Sequence, residues 1–201
     1  DNALFALVKA YIDDPIPILE ALSTDTWAQQ SNNLLKAGGL PSWSAGTTSH
    51  ANSIPDGWTK EATPATYQQD TVDVGYGKYA VKITTDAATE GMNQTISGLK
   101  PSTKYTIQCR AKVTAGDTAQ LLTTGATTNV DEETTSVSWV TLTNTFTTDG
   151  SGTNVVVKVM GKANGDIVWF CGLVCTEGSI VPALDPSPND EHLKAIDYQN
   201  A

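Results

Sequence analysis

In three separate runs of the chain, apolar side chains recur at every second position. Tyr79, Val81 and Ile83 alternate with Lys78, Ala80, Lys82 and Thr84. Tyr105, Ile107 and Cys109 alternate with Thr106, Gln108 and Arg110, and the run continues to Ala111 and Val113. Val155, Val157 and Val159 alternate with Val156, Lys158 and Met160. A period of two places successive side chains on opposite faces of a strand, so each run predicts a strand with one buried face. Ala115-Gly116-Asp117, Asp149-Gly150-Ser151-Gly152 and Lys162-Ala163-Asn164-Gly165-Asp166 carry turn chemistry between runs and predict hairpins. Ile167 to Cys175 is apolar at both phases, which predicts a central strand covered on both sides. Eight to ten short strands at this spacing predict an all-β, two-sheet antiparallel sandwich over residues 32–178.

The two ends read differently. Leu4, Leu7, Val8, Tyr11 and Ile12 fall at helical period, Asp1 or Asn2 supplies a cap, and Pro15 and Pro17 end the run. Ile18, Leu19, Leu22 and Trp27 suggest a second short helix. A helix this short is marginal alone. Residues 1–31 are therefore either a lid on the domain or an assembly arm that packs on a neighbouring subunit. Residues 179–201 read as an extended tail, held open by Pro182, Pro186 and Pro188. The chain starts at Asp1 without Met, which fits proteolytic maturation or a preceding segment, and no signal-peptide pattern is visible.

Charge narrows the partners. Lys plus Arg is 12, Asp plus Glu is 22, and the formal net charge is −10. Arg110 is the sole arginine. No basic stripe is present for a nucleic-acid backbone or an anionic lipid surface, so neither partner is expected. No stretch approaches the ~18 apolar residues of a membrane helix. The three cysteines, Cys109, Cys171 and Cys175, are expected to remain free thiols. Four residues apart on an unbroken strand, Cys171 and Cys175 would share a face at ~13 Å, too far for a disulfide. His50 and His192 do not sit at metal-ligand spacing, so neither metal nor cofactor is expected.

Several stretches, taken in order, resemble the carbohydrate-binding modules of families 4 and 9, in the form carried by bacteriophage virion proteins. Asn33-Leu34-Leu35 with Gly38-Gly39 resembles the opening strand, and Ile54-Pro55-Asp56-Gly57-Trp58 the Pro-x-Gly-Trp stretch after it. Ile96-Ser97-Gly98-Leu99-Lys100-Pro101-Ser102-Thr103-Lys104-Tyr105-Thr106 resembles the turn and strand most specific to these modules. Trp139-Val140, Phe146-Thr147 and Phe170 through Gly178 resemble the closing strands, and Pro186-Ser187-Pro188-Asn189-Asp190 the Pro-rich ending. The resemblance covers roughly residues 33–190. It implies a jelly-roll sandwich and a non-enzymatic virion component (tail, fibre or capsid surface) that is assembled in the host cytoplasm; the alternative is a true glycan-binding module, for host receptor attachment or appended to a polysaccharide hydrolase. Its implied partners are other virion subunits, further copies of itself in a trimer or larger ring, and surface polysaccharide. Cys171 and Gly172 replace the acidic pair usual in the last strand, and Ala37-Gly38-Gly39-Leu40-Pro41 lacks the usual acid. Those carboxylates help hold a structural calcium in this fold, and calcium needs six to eight oxygens. No structural calcium is therefore expected at this position.

No catalytic residue is assigned. The carboxylates Asp56, Asp86, Asp117, Asp149 and Asp166 sit in turns, and no pairing or nucleophile signature is legible. Sugar binding needs flat aromatic faces ringed by hydrogen-bonding groups. Trp43 and Trp58 flank the Ser/Thr/Asn-rich stretch 44–53, and Tyr67 and Tyr76 follow, so these four are the glycan-binding candidates. The competing reading packs Trp58 at a sandwich edge. Tyr79, Tyr105, Trp169 and Phe170 fit buried strand phases, and Trp139, in phase with Thr141, Thr143 and Thr145, reads as partly exposed. Asn93-Gln94-Thr95 matches a glycosylation acceptor but reads as strand.

Overall fold

The computed structural model describes residues 33–179, apart from 37, 41, 63 and 65. Ten strands follow one another: β1 (Thr59–Glu61), β2 (Thr66–Asp70), β3 (Ala80–Thr84), β4 (Glu90–Ser97), β5 (Lys104–Val113), β6 (Ala119–Thr124), β7 (Asp131–Thr134), β8 (Val140–Thr147), β9 (Asn154–Gly161) and β10 (Ile167–Glu177). They form two antiparallel five-stranded sheets, ordered β1-β4-β9-β6-β7 and β2-β3-β10-β5-β8. The described residues are thus an all-β sandwich of the jelly-roll kind.

The period-two runs are β3, β5 and β9, and their apolar phases meet between the sheets. Val81, Ile83, Ile107, Ala111, Val157, Val159 and Phe170 are all fully buried there. Burying each of the Val, Ile and Phe side chains stabilises the fold by about 1.5–3 kcal/mol. Tyr105 stacks on Phe146 across β5 and β8, ring centroids 5.5 Å apart. The Lys100 amide donates to the Tyr105 hydroxyl at 2.9 Å, tying the turn before β5 to that strand.

The three turns expected to close hairpins do something else. Residues 114–118, 148–153 and 162–166 each carry the chain from one sheet to the other, because β5, β8 and β10 lie in one sheet and β6 and β9 in the second. Turn residues permit a reversal but do not decide whether the next strand lies beside the last or across the core. The hairpins joining sequential neighbours in one sheet are β2–β3 and β6–β7. The expected opening strand at Asn33-Leu34-Leu35 is not a strand. Leu34 donates to Cys175 O at 2.8 Å, and Leu173 donates to Gly38 O at 3.1 Å, so this segment runs beside β10.

β10 is central, as its apolar run predicts, but it is not regular. Cys171 pairs with Arg110, and the next aligned pair is Val174 with Gln108, so β10 holds one residue more than β5. This bulge places Gly172 in the left-handed region, φ +57. It also inverts the alternation. Before it, Val168 and Phe170 face the core while Ile167, Trp169 and Cys171 face outward; after it, Leu173 and Cys175 face the core. Cys171 and Cys175 therefore lie on opposite faces, contrary to the unbroken-strand expectation. The assembly positions Leu4, Leu7, Val8, Tyr11 and Ile12, and the tail from residue 180 on, lie outside the described residues.

Candidate functional site

The outer face of the β2-β3-β10-β5-β8 sheet gathers the chemistry. Strand pairing aligns Gln68, Lys82, Trp169 and Lys112 in one row across four strands. Beyond it Asp70 pairs with Ala80 on one side of β10, and Cys171 with Arg110 and Arg110 with Thr141 on the other. Trp169 is half-buried, not part of the core, because its phase is opposite to that of Val168 and Phe170. A lysine stands on each side of it. The Lys82 ammonium lies 5.1 Å from the Trp169 ring centroid and the Lys112 ammonium 4.5 Å. Each contact of this kind contributes about 0.5–2 kcal/mol, more as water is excluded.

Trp139, just before β8, extends the row. Lys112 lies 5.6 Å from its ring centroid and forms an ion pair with Asp73. Both indole N–H groups are used. Trp169 donates to Asp70 Oδ2 at 3.1 Å, and Trp139 donates to Asp73 Oδ1 at 2.9 Å. The two aspartates belong to one structure, since Asp70 Oδ1 accepts the amides of Val72 and Asp73 at 2.9 and 3.0 Å. The β2–β3 loop is thereby folded against the sheet. Burial raises the Asp70 carboxyl, but the amides of Asp73 and Val72 and the Trp169 indole together outweigh it and hold the group below its ordinary value. The hydrogen bond from Lys112, then that from Trp139, lowers Asp73. Both remain carboxylates at neutral pH.

Two glycines admit the covering groups. A Cβ on Gly75 would stand 2.3 Å from the Trp139 ring, so only glycine lets that indole lie on the loop backbone. A Cβ on Gly172 would stand 2.8 Å from Tyr76 Cδ1, so Tyr76 rests on the bulge. The Cys171 thiol beneath is fully buried. Burial pushes its pKa up to about 11, although the amides of Gly75 and Tyr76 act in the opposite direction.

The four sequence candidates do not converge. Trp43, Trp58 and Tyr67 are core residues, 9, 6 and 0 % exposed, so their rings present no face to a sugar. Trp43 donates to Leu40 O at 3.0 Å, and the Tyr67 phenol donates to Gly91 O. Trp58 is held under the sheet edge just before β1, as the competing reading had it. Tyr76 alone reaches the outer face, where it covers Gly172. Trp169, read from sequence as structural, replaces them as the centre. The signal that finds it is the phase of Lys82 and Lys112, which marks the outward side of two strands. Their pairing with β10 is what adds Trp169, and no local pattern gives that pairing. Among the described residues no group of three or more His, Cys, Asp or Glu is placed to hold a metal.

The site is thus a pair of half-buried indoles set among ammonium, carboxylate and amide groups on a sheet face. Residues 38–165 match the carbohydrate-binding domain family of modules 4 and 9. The chain belongs to this family of carbohydrate-binding domains. Solved structures share the fold at low identity. The module TmCBM61, solved with β-1,4-galactotriose, has a TM-score of 0.53 at 15% identity, over 73% of this chain and 99% of its own. A putative sugar-binding protein of Bacteroides thetaiotaomicron has a TM-score of 0.53 at 11% identity, over 73% and 100%. The enzymatically active domain of tailspike protein 4 of bacteriophage CBA120 has a TM-score of 0.53 at 9% identity, over 73% of this chain and 22% of its own. No curated protein matches the chain.

Proposed function

We propose that this protein is a non-catalytic glycan-binding component of a bacteriophage virion, and that the outer face of the β2-β3-β10-β5-β8 sheet meets the polysaccharide. The observation that carries the glycan reading is the Trp169–Trp139 pair, half-buried and held in place by Asp70 and Asp73 on a family member's sheet face. An indole held at its N–H keeps a fixed ring for the C–H side of a sugar, while nearby ammonium and amide groups take hydroxyls. The virion reading is supported by the apolar stripe Leu4, Leu7, Val8, Tyr11 and Ile12, which suits packing on a neighbouring subunit in a trimer or larger ring. The Pro-rich tail supports the same reading. On this reading the protein stands on the particle surface and is assembled in the host cytoplasm.

A second reading keeps the site and drops the particle: a binding module appended to a polysaccharide hydrolase. It is favoured by the match to essentially the whole length of separate binding modules, 99% in one case. Binding of the intact chain to a polysaccharide panel, with Trp169→Ala and Trp139→Ala alongside, tests the glycan role. Each variant is expected to lose about tenfold in affinity. Absence of binding to any glycan by the unaltered chain would refute it. Light scattering separates the two readings, since the virion component is expected to assemble and the appended module to be a monomer.

A further inference from the structure

We infer that the glycan bound on this face is acidic, and that its carboxylate or sulfate groups are read by Lys82, with Arg110 adding positive charge behind it. The inference rests on the glycan-binding reading above and narrows its ligand class.

The chain carries a net charge of −10, yet three of its 12 cations, Lys82, Lys112 and Arg110, stand on adjacent strands around one tryptophan. Two carboxylates accompany them, and both are already engaged. Asp70 accepts two amides and the Trp169 indole, and Asp73 accepts the Trp139 indole and Lys112. Each carboxylate oxygen of the face thus already accepts from its own framework, although the Asp73 side chain stays half exposed. The cationic donors of the face are not matched in the same way. Lys82 has no ion-pair partner among the described residues, and its contact is with the Trp169 ring. Arg110 gives Nη2 to the Trp139 carbonyl at 3.0 Å, while its Nε is buried and finds no acceptor there.

A neutral sugar offers hydroxyls, which serve donors and acceptors alike. A face whose carboxylates already pair within it, and whose Lys82 ammonium does not, is better matched by a ligand that brings negative charge, and charge-assisted bonds are the stronger kind. The lysines also flank Trp169, which narrows the free ring surface available for stacking. They stand two strands apart, about 10 Å, a span longer than one sugar ring. In an acidic molecule such a local group of cations also selects where a polyanion lands, since the remaining surface repels it.

The test compares the intact chain on a polygalacturonate, on the same polymer after carboxyl reduction, and on a sulfated galactan. Binding to the polyuronate is expected to exceed that to its reduced form by about tenfold or more, and to weaken with salt. Lys82→Gln should remove most of that preference, Lys82→Arg should retain it, and Lys100→Gln, on another part of the surface, should leave it unchanged. Binding to the sulfated galactan without the polyuronate would support the same charge reading with sulfate as the source. Equal binding to the acidic and reduced polymers would overturn the inference and leave the glycan role intact. So would a preference reduced equally by Lys82→Gln and Lys100→Gln, which would reflect bulk charge. Failure to bind any of the three, or any polysaccharide of a neutral panel, would remove both.

Discussion

Tyr67 shows how one atom ties the two sheets. Its ring is fully buried from β2, and its phenol donates to the Gly91 carbonyl of β4 in the opposite sheet. Tyr67→Phe removes this hydrogen bond between the sheets, so a loss of about 0.5–1.5 kcal/mol is expected in urea unfolding. Gly75→Ala acts on the binding face instead. Its Cβ displaces the Trp139 ring, so polysaccharide affinity should fall while the melting temperature changes little. The thiols give a pH signature. Burial raises the Cys171 and Cys175 pKa values from 9.0 to about 11 and about 12, and Cys109 moves upward too. Below pH 9 both folded and unfolded chains hold these protons, so their contribution is constant. Above it the unfolded chain releases protons that the folded chain retains, and stability falls by about 1.4 kcal/mol per pH unit per thiol until the folded values are passed. Urea midpoints at neutral pH and near pH 10.5 check this, with slow alkylation of all three thiols in the native protein.

At the scale of elements, the strands were legible wherever one phase was apolar and the other polar, as in β3 and β5. Their order was not. Turn residues such as Asn164-Gly165 announce a reversal, but the partner of β10 is set by packing over long sequence separation, with β3 on one side and β5 on the other. For the same reason Trp43, Trp58 and Tyr67 looked available from sequence, standing outside an alternating pattern, while Trp169 inside an apolar run looked buried. The bulge in β10 leaves one sequence trace, Gly172 in an otherwise bulky strand. Gly172→Ala is expected to destabilise the domain by about 2 kcal/mol, because a side chain is strained at φ +57 and its Cβ meets Tyr76. Thermal unfolding of the variant measures this.

On the scale of the whole molecule, the sandwich has a core of its own within the described residues, made by both sheets. A chain cut to residues 32–179 is therefore expected to unfold cooperatively and to retain the binding face. If residues 1–31 are the assembly arm, that shortened chain stays monomeric where the intact one assembles, as sedimentation would show. If they are a lid, the intact chain is itself a monomer and the shortened one melts lower. Cys171 and Gly172 in place of an acidic pair lead to a further expectation, that a chelator leaves the melting temperature unchanged. A fall of many degrees would reveal a metal-dependent fold.

The extra residue in β10 works like a frameshift within a strand. Upstream of it, odd-numbered side chains belong to the ligand side, and downstream they belong to the interior. Deleting residue 172 would remove the one residue by which β10 exceeds β5 and leave a regular strand with Trp169 still on the ligand side and Leu173 and Cys175 still in the interior. A one-residue gain or loss away from the bulge has no such cancellation: either Trp169 is driven between the sheets, or Leu173 and Cys175 are turned out of them. A length change on either side of the bulge should thus be far more damaging than any conservative exchange along the strand. Variation in this domain's binding surface is expected to proceed by substitution on the outward rows and by length changes in the β2–β3 loop, and not by length changes in β10.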